Sequence, residues 1–154
     1  MEIERKFLIR QLPEHLEQYP CRHIEQGYLC TNPVVRIRKQ DDSYFLTYKS
    51  GGLMTREEYN LPLTDEGYAH LRKKTDGLLI TKKRYCIPFD PYIIEIDIFE
   101  GDLAPLILAE VEFPSEKEAN AFTPPEWFAK DVTYSGKYHN SYMSRYGYQQ
   151  EDNR

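Results

Sequence analysis

Charged side chains recur at every second position through several strand-like runs, and the sign of the charge is sorted from run to run. Strand side chains alternate faces, so in the opening run Glu2-Ile3-Glu4-Arg5-Lys6-Phe7 the residues Glu2, Glu4 and Lys6 share one face while Ile3 and Phe7 share the other. In Val34–Arg38, Arg36 and Arg38 stand together, opposite Val35 and Ile37. Phe45–Lys49 pairs Thr47 with Lys49, Arg56–Asn60 groups Arg56, Glu58 and Asn60, and Ile80–Tyr85 groups Lys82 with Arg84. Tyr92–Ile98 sets Glu95 and Asp97 against isoleucines, and Ala109–Phe113 repeats the double carboxylate of the start as Glu110 and Glu112.

One charged strand face is commonly just wet. Repetition with sorted sign is different, because mixed charge suits a solvated surface better. If all the charged faces look inward, acidic strands from both ends of the chain and basic strands from its middle line one interior. The expectation is a mainly β (α+β) fold, a closed eight-stranded antiparallel barrel forming a charged tunnel, with helices packed outside.

Three helices are expected. Leu12–Tyr19 has proline near its start, Thr64–Lys74 opens on a threonine cap and ends basic, and Ser115–Phe122 has Ser115 and Glu118 at capping-box spacing. Ser50-Gly51-Gly52 marks a turn between strands. No linker divides the chain, so one domain over residues 1–148 is expected, with 149–154 a frayed polar tail.

Composition narrows the function. A formal net charge of −5 argues against a general nucleic-acid binder while leaving room for a local basic pocket. No apolar run approaches membrane-spanning length and no leader is visible, so a cytoplasmic location without a membrane partner is expected. Cys21, Cys30 and Cys86 lack metal or disulfide spacing. The 13 tyrosines and 7 phenylalanines suit a β fold.

The Glu-x-Glu-x-Lys start, the Arg-x-Arg strand, the Lys-x-Arg strand and the late Glu-x-Glu strand resemble the CYTH superfamily, also called triphosphate tunnel metalloenzymes. Trp127–Thr133 and Lys137–Asn140 resemble the closing segment of that family. The resemblance therefore spans nearly the whole chain.

The residues themselves support matching chemistry. Glutamates at i and i+2 on a strand are roughly 6.6 Å apart and can converge on one ion, so Glu2, Glu4, Glu110 and Glu112 are candidate ligands for Mg²⁺ or Mn²⁺. The resemblance implies the same cluster. Arg36, Arg38, Lys49, Arg56, Lys82 and Arg84 would surround a linear polyphosphate, arginine by two-point forks and lysine as a movable charge. Lys6 would bridge the metal and phosphate zones. Glu58, Glu95 and Asp97 are candidates for a second metal or for orienting the attacking water. Two further residues rest on the resemblance: Tyr28, whose hydroxyl would modulate a basic phosphate ligand, and Lys137, which would reach the substrate. The four histidines lack paired ligand spacing, and no Walker loop occurs.

These expectations favour metal-dependent hydrolysis of inorganic tripolyphosphate to pyrophosphate and phosphate, the bacterial inorganic triphosphatase branch being most similar, with inorganic tripolyphosphate or another small triphosphate as the expected partner. The alternatives are a class IV adenylyl cyclase, a thiamine or nucleoside triphosphatase of the same family, and a non-catalytic polyphosphate-binding module, which would have no need of the four glutamates. The oligomeric state, monomer or homodimer, is left open.

Overall fold

The computed structural model describes residues 1–148, and the expected polar tail lies outside them. The chain opens with β1 (Glu2–Ile9), then β2 (Cys21–Thr31), β3 (Val34–Gln40), β4 (Ser43–Lys49), β5 (Thr55–Arg56) and β6 (Glu58–Pro62). After α1 (Asp65–Arg72) come β7 (Asp76–Phe89), β8 (Tyr92–Phe99) and β9 (Ile107–Glu112). The last elements are α2 (Glu116–Ala121), β10 (Phe128–Asp131) and α3 (Asn140–Tyr146).

All pairings are antiparallel, in the order β10-β1-β9-β8-β7-β2-β3-β4-β6. The barrel nearly closes where β5, immediately before β6, pairs with β1 through Glu2 opposite Arg56 and Ile3 opposite Thr55. Counting β5 and β6 as one interrupted strand recovers the eight expected staves, and β10 adds a short stave along the far end of β1.

The alternation places the apolar faces outside, under the helices. Ile3, Phe7, Ile94, Ile96, Ala109 and Val111 form a buried cluster with Phe113 and Phe128 beneath α2. Ser115 caps α2 by accepting from the Glu118 backbone N–H at 3.1 Å. Only half of the expected capping box forms, because the Glu118 carboxylate accepts from Tyr92 Oη at 2.7 Å instead. Thr64 caps α1, accepting from Gly67 N at 3.0 Å. The helix expected over 12–19 is reduced to a single 3₁₀ turn, Leu16–Gln18, entered through His15 at φ 56°. That segment buries no side chain fully, so nothing offsets the cost of nucleating a helix.

The interior differs from the expectation in one respect. Ile80, Phe99 and Leu108 share the inward parity of the charged residues on β7, β8 and β9, yet join Tyr28, Leu103, Leu106 and Met143 in a second buried apolar cluster. The charged lining therefore gives way to an apolar plug along the barrel. α3 packs on β7 and β2 at that region. Gly77, at φ +69°, permits the approach, since a Cβ there would collide with the Ser144 carbonyl.

Candidate active site

A cavity of about 180 Å³ opens on the charged faces, lined among others by Glu2, Glu4, Lys6, Tyr28, Arg36, Arg38, Lys49, Arg56 and Glu58. Arg84, Glu95, Glu110 and Glu112 complete its charged wall. Register explains the convergence: Glu4 stands opposite Glu112 and Lys6 opposite Glu110 across β1 and β9, while Arg84 stands opposite Asp97 across β7 and β8.

Three of the expected residues stand apart. Lys82 and Asp97 lie behind the lining, almost without exposure. Lys82 Nζ reaches Asp97 at 2.8 Å and donates to Asn140 Oδ1 at 3.1 Å, and Asp97 takes the Arg84 fork at 2.7 and 2.8 Å. Lys137 is exposed and outside the lining.

Ion pairing divides the cations into two groups. Lys49 sits 2.9 Å from Glu2 and 3.4 Å from Glu58. Lys6 lies 3.7 Å from Glu110 and 3.9 Å from Glu4. Arg84 is held by Asp97 and also approaches Glu95 at 3.5 Å and Glu110 at 3.7 Å. Arg36, Arg38 and Arg56, by contrast, hydrogen-bond to uncharged groups: Thr47 Oγ1 at 3.3 Å, Gln26 Oε1, and the Ser50 carbonyl at 3.2 Å. Arg36 Nε is buried with no hydrogen-bond partner among the described residues, a costly arrangement unless an acceptor arrives. Among the described residues, these three guanidiniums are the cavity-lining cations that face no carboxylate within ion-pair distance.

Protonation follows the same division. Burial works against the Glu110 carboxylate, but Lys6, Arg84 and Lys82 outweigh it and hold it well below the usual range. Asp97 is likewise lowered, Arg84 and Lys82 overcoming burial, and Glu58 is lowered, Lys49 overcoming burial. Glu4 is left over. Burial, then Glu110 and Glu2, push its pKa up to about 8. Burial also raises Glu95, and burial with Glu2 and Glu58 raises Glu112 at the exposed rim. Burial, followed by neighbouring Arg36 and Arg84, brings Arg38 down to about 9, still protonated at neutral pH. Burial lowers Lys82 to about 7. Half-buried His139, desolvated and facing Lys6, Arg56 and Lys49, falls to about 3 and stays neutral.

The crowding at Glu4 suits a hard divalent cation. Carboxylate oxygens are the donors Mg²⁺ and Mn²⁺ prefer, and Glu2, Glu4, Glu110 and Glu112 could supply them. Among the described residues no three acidic, histidine or cysteine side chains are preassembled as a cage, consistent with Lys49, Lys6 and Arg84 holding the carboxylates.

Sequence reasoning overlooked Gln26, Thr47 as a guanidinium partner, and Asn140. Gln26 and Thr47 share the inward parity of their strands, which was the available signal. Asn140 arrives on α3, for which the strand alternation carries no signal.

An inward-charged barrel with a carboxylate cluster facing unbalanced guanidiniums defines a polyanion-binding barrel with a place for a cation. Residues 1–146 match the CYTH domain, and the chain belongs to that family. It is 41% identical to an inorganic triphosphatase of Nitrosomonas europaea, over 93% of this chain and 96% of the relative. It is 33% identical to an inorganic triphosphatase of Acetivibrio thermocellus, over 80% of each. The crystal structure of the inorganic triphosphatase NE1496 superposes with a TM-score of 0.70 at 36% identity, covering 94% of either chain.

Proposed function

We propose that the protein is a divalent-metal-dependent triphosphatase that hydrolyses inorganic tripolyphosphate to pyrophosphate and phosphate. The observation that carries this reading is the placement of three carboxylate-free guanidiniums, Arg36, Arg38 and Arg56, across one cavity from the crowded Glu2, Glu4, Glu110 and Glu112. The similarity to two inorganic triphosphatases over most of the chain supports it.

In this reading Arg36 and Arg38 grip phosphoryl oxygens, the unpartnered Arg36 Nε finding its acceptor there. Lys6 and Lys49 exchange part of their carboxylate contacts for phosphate. Glu2, Glu4, Glu110 and Glu112 hold Mg²⁺ or Mn²⁺, which when bound supplies charge neutralisation and a more acidic water. Glu95 and Glu58 line the cavity and in this reading orient the attacking water, while Asp97 holds Arg84 and Lys82 from behind. Tyr28 offers a hydroxyl to the phosphate chain. The attacking water gives up a proton to solvent as its oxygen forms the new bond to a terminal phosphorus, the bridging P–O bond breaks, and pyrophosphate leaves with the electron pair. Lys137 joins only if its segment moves toward the cavity. No helix among the described residues is long and apolar enough to cross a membrane, and the three free cysteines suit a reducing, cytoplasmic setting.

The test is phosphate release from tripolyphosphate, ATP and thiamine triphosphate in parallel, with Mg²⁺ or Mn²⁺. Tripolyphosphate is expected to be cleaved fastest. Cyclic AMP as the main product from ATP would establish a cyclase instead, and binding without release in all three would leave only a polyphosphate-binding module.

A further inference from the structure

Two arginines on the barrel wall are held by the same two-point fork, but on chemically different partners. Arg84 donates Nε and Nη2 to the Asp97 carboxylate at 2.7 and 2.8 Å. Arg38 donates Nε and Nη2 to a single amide oxygen, Gln26 Oε1, at 3.0 and 2.7 Å. Gln26 has no exposed surface and stands directly opposite Arg38 across β2 and β3. A carboxylate at this position would hold a guanidinium at least as firmly, since charge-assisted forks are the stronger kind. It would also cancel the charge.

The amide has a second consequence. Guanidinium nitrogens only donate, so the Gln26 oxygen must face Arg38 and its Nε2 must face away. Nε2 donates to Tyr28 Oη at 2.9 Å. The Tyr28 oxygen is therefore used as an acceptor, and its own proton is left for another acceptor. Tyr28 and Arg38 both line the cavity, and three of the five Arg38 N–H donors remain after the fork.

We propose that Gln26 is a positioning residue that fixes Arg38 without neutralising it and turns the Tyr28 hydroxyl into a donor, so that one phosphate oxygen is received between the two. The proposal rests on the tripolyphosphatase reading and adds the element that distinguishes a ligand arginine, Arg38, from an anchoring arginine, Arg84.

Gln26→Glu tests it, being nearly isosteric. The fork to Arg38 persists, so the thermal midpoint without metal is expected to hold or rise. Affinity for inorganic tripolyphosphate, measured calorimetrically without metal, is expected to fall tenfold or more, and KM to rise in parallel. Because Tyr28 would now donate to the new carboxylate, kcat should fall as well, and adding Tyr28→Phe should cost much less in the Gln26→Glu background than in the wild type. Gln26→Met removes the fork without adding charge and provides a second reading if Gln26→Glu does not fold; it too should weaken tripolyphosphate binding. Affinity and KM within twofold of wild type in a folded variant of either kind would overturn the proposal. Binding and turnover are read separately, so a wild-type protein that binds tripolyphosphate without cleaving it defeats the hydrolase reading and leaves this test standing.

Discussion

Single side chains in this barrel differ chiefly in whether a neighbour already satisfies them. Glu4 has the least favourable position among the carboxylates, buried beside Glu110 and Glu2 with Lys6 no closer than 3.9 Å. Glu4→Gln keeps the shape and removes the charge, so metal-dependent turnover of tripolyphosphate is expected to fall by about a hundredfold or more. The metal-free thermal midpoint should hold or rise, because the variant removes the cost of either protonating Glu4, whose pKa is pushed up to about 8, or burying it charged beside Glu110 and Glu2. Glu112→Gln, at the rim, should behave alike in turnover. Full activity of both variants at saturating metal would remove these residues from the mechanism. Arg36 is the complementary case, a buried cation with an idle Nε. Arg36→Lys retains the charge and loses the fork, so KM for tripolyphosphate should rise about tenfold while the fold survives; an unchanged KM would show that the fork is not used.

Among the elements, parity was the most legible feature. A period of two placed Glu2, Glu4, Lys6, Arg36, Arg38, Glu95 and Glu110 on inward faces, and the structure has them there. Depth along a strand was not legible, because alternation says which side a residue faces and nothing of how far in it lies. That is why Asp97 and Lys82 lie behind the cavity wall and not in it. β2 was hard to read for another reason: its pairing shifts near Tyr28 with both neighbours, which interrupts the period, and Gly27 passes so close to Leu79 and Thr75 that a Cβ would meet them at 2.8 Å. Gln26 was obscured with it. The attachment of α1 was equally invisible, since it depends on Glu25 of β2 accepting from Arg72 Nε and Tyr68 Oη, each at 2.8 Å. The Arg72 hydrogen bond, against opposing burial and with help from Tyr68, holds the Glu25 carboxyl below its usual range. The folded state then binds this proton less readily than the unfolded chain. The contribution is complete above the unfolded pKa of about 4.3 and disappears as pH falls through the lower folded value. Glu25→Gln should therefore cost about 0.5–1 kcal/mol at pH 7, the pair being partly exposed. The gap to wild type should close below about pH 4 in urea melts. A gap that persists into acid would mean the carboxylate charge is not what secures α1.

At the scale of the whole molecule, a chain of net charge −5 sets arginines bonded to uncharged groups inside a barrel. Arg36, Arg38 and Arg56 face one cavity from β3 and β5, and the apolar plug around Ile80, Phe99 and Leu108 borders the charged zone. Binding strength must then come from phosphate contacts, since among the described residues no aromatic ring other than Tyr28 lines the cavity to stack on a base. Inorganic tripolyphosphate can present oxygens along its entire length to the arginines, Lys6 and Lys49. ATP must surrender some of those contacts to accommodate a ribose and an adenine at the rim, where Glu112 is exposed and acidic. Each charge-assisted hydrogen bond lost is worth about 1.5–3 kcal/mol, so forfeiting even one predicts a kcat/KM for tripolyphosphate at least about tenfold above that for ATP. Parallel steady-state measurements at one metal concentration decide it. Equal efficiencies would mean that the nucleoside finds contacts of its own, and the preference for a bare phosphate chain would have to be abandoned.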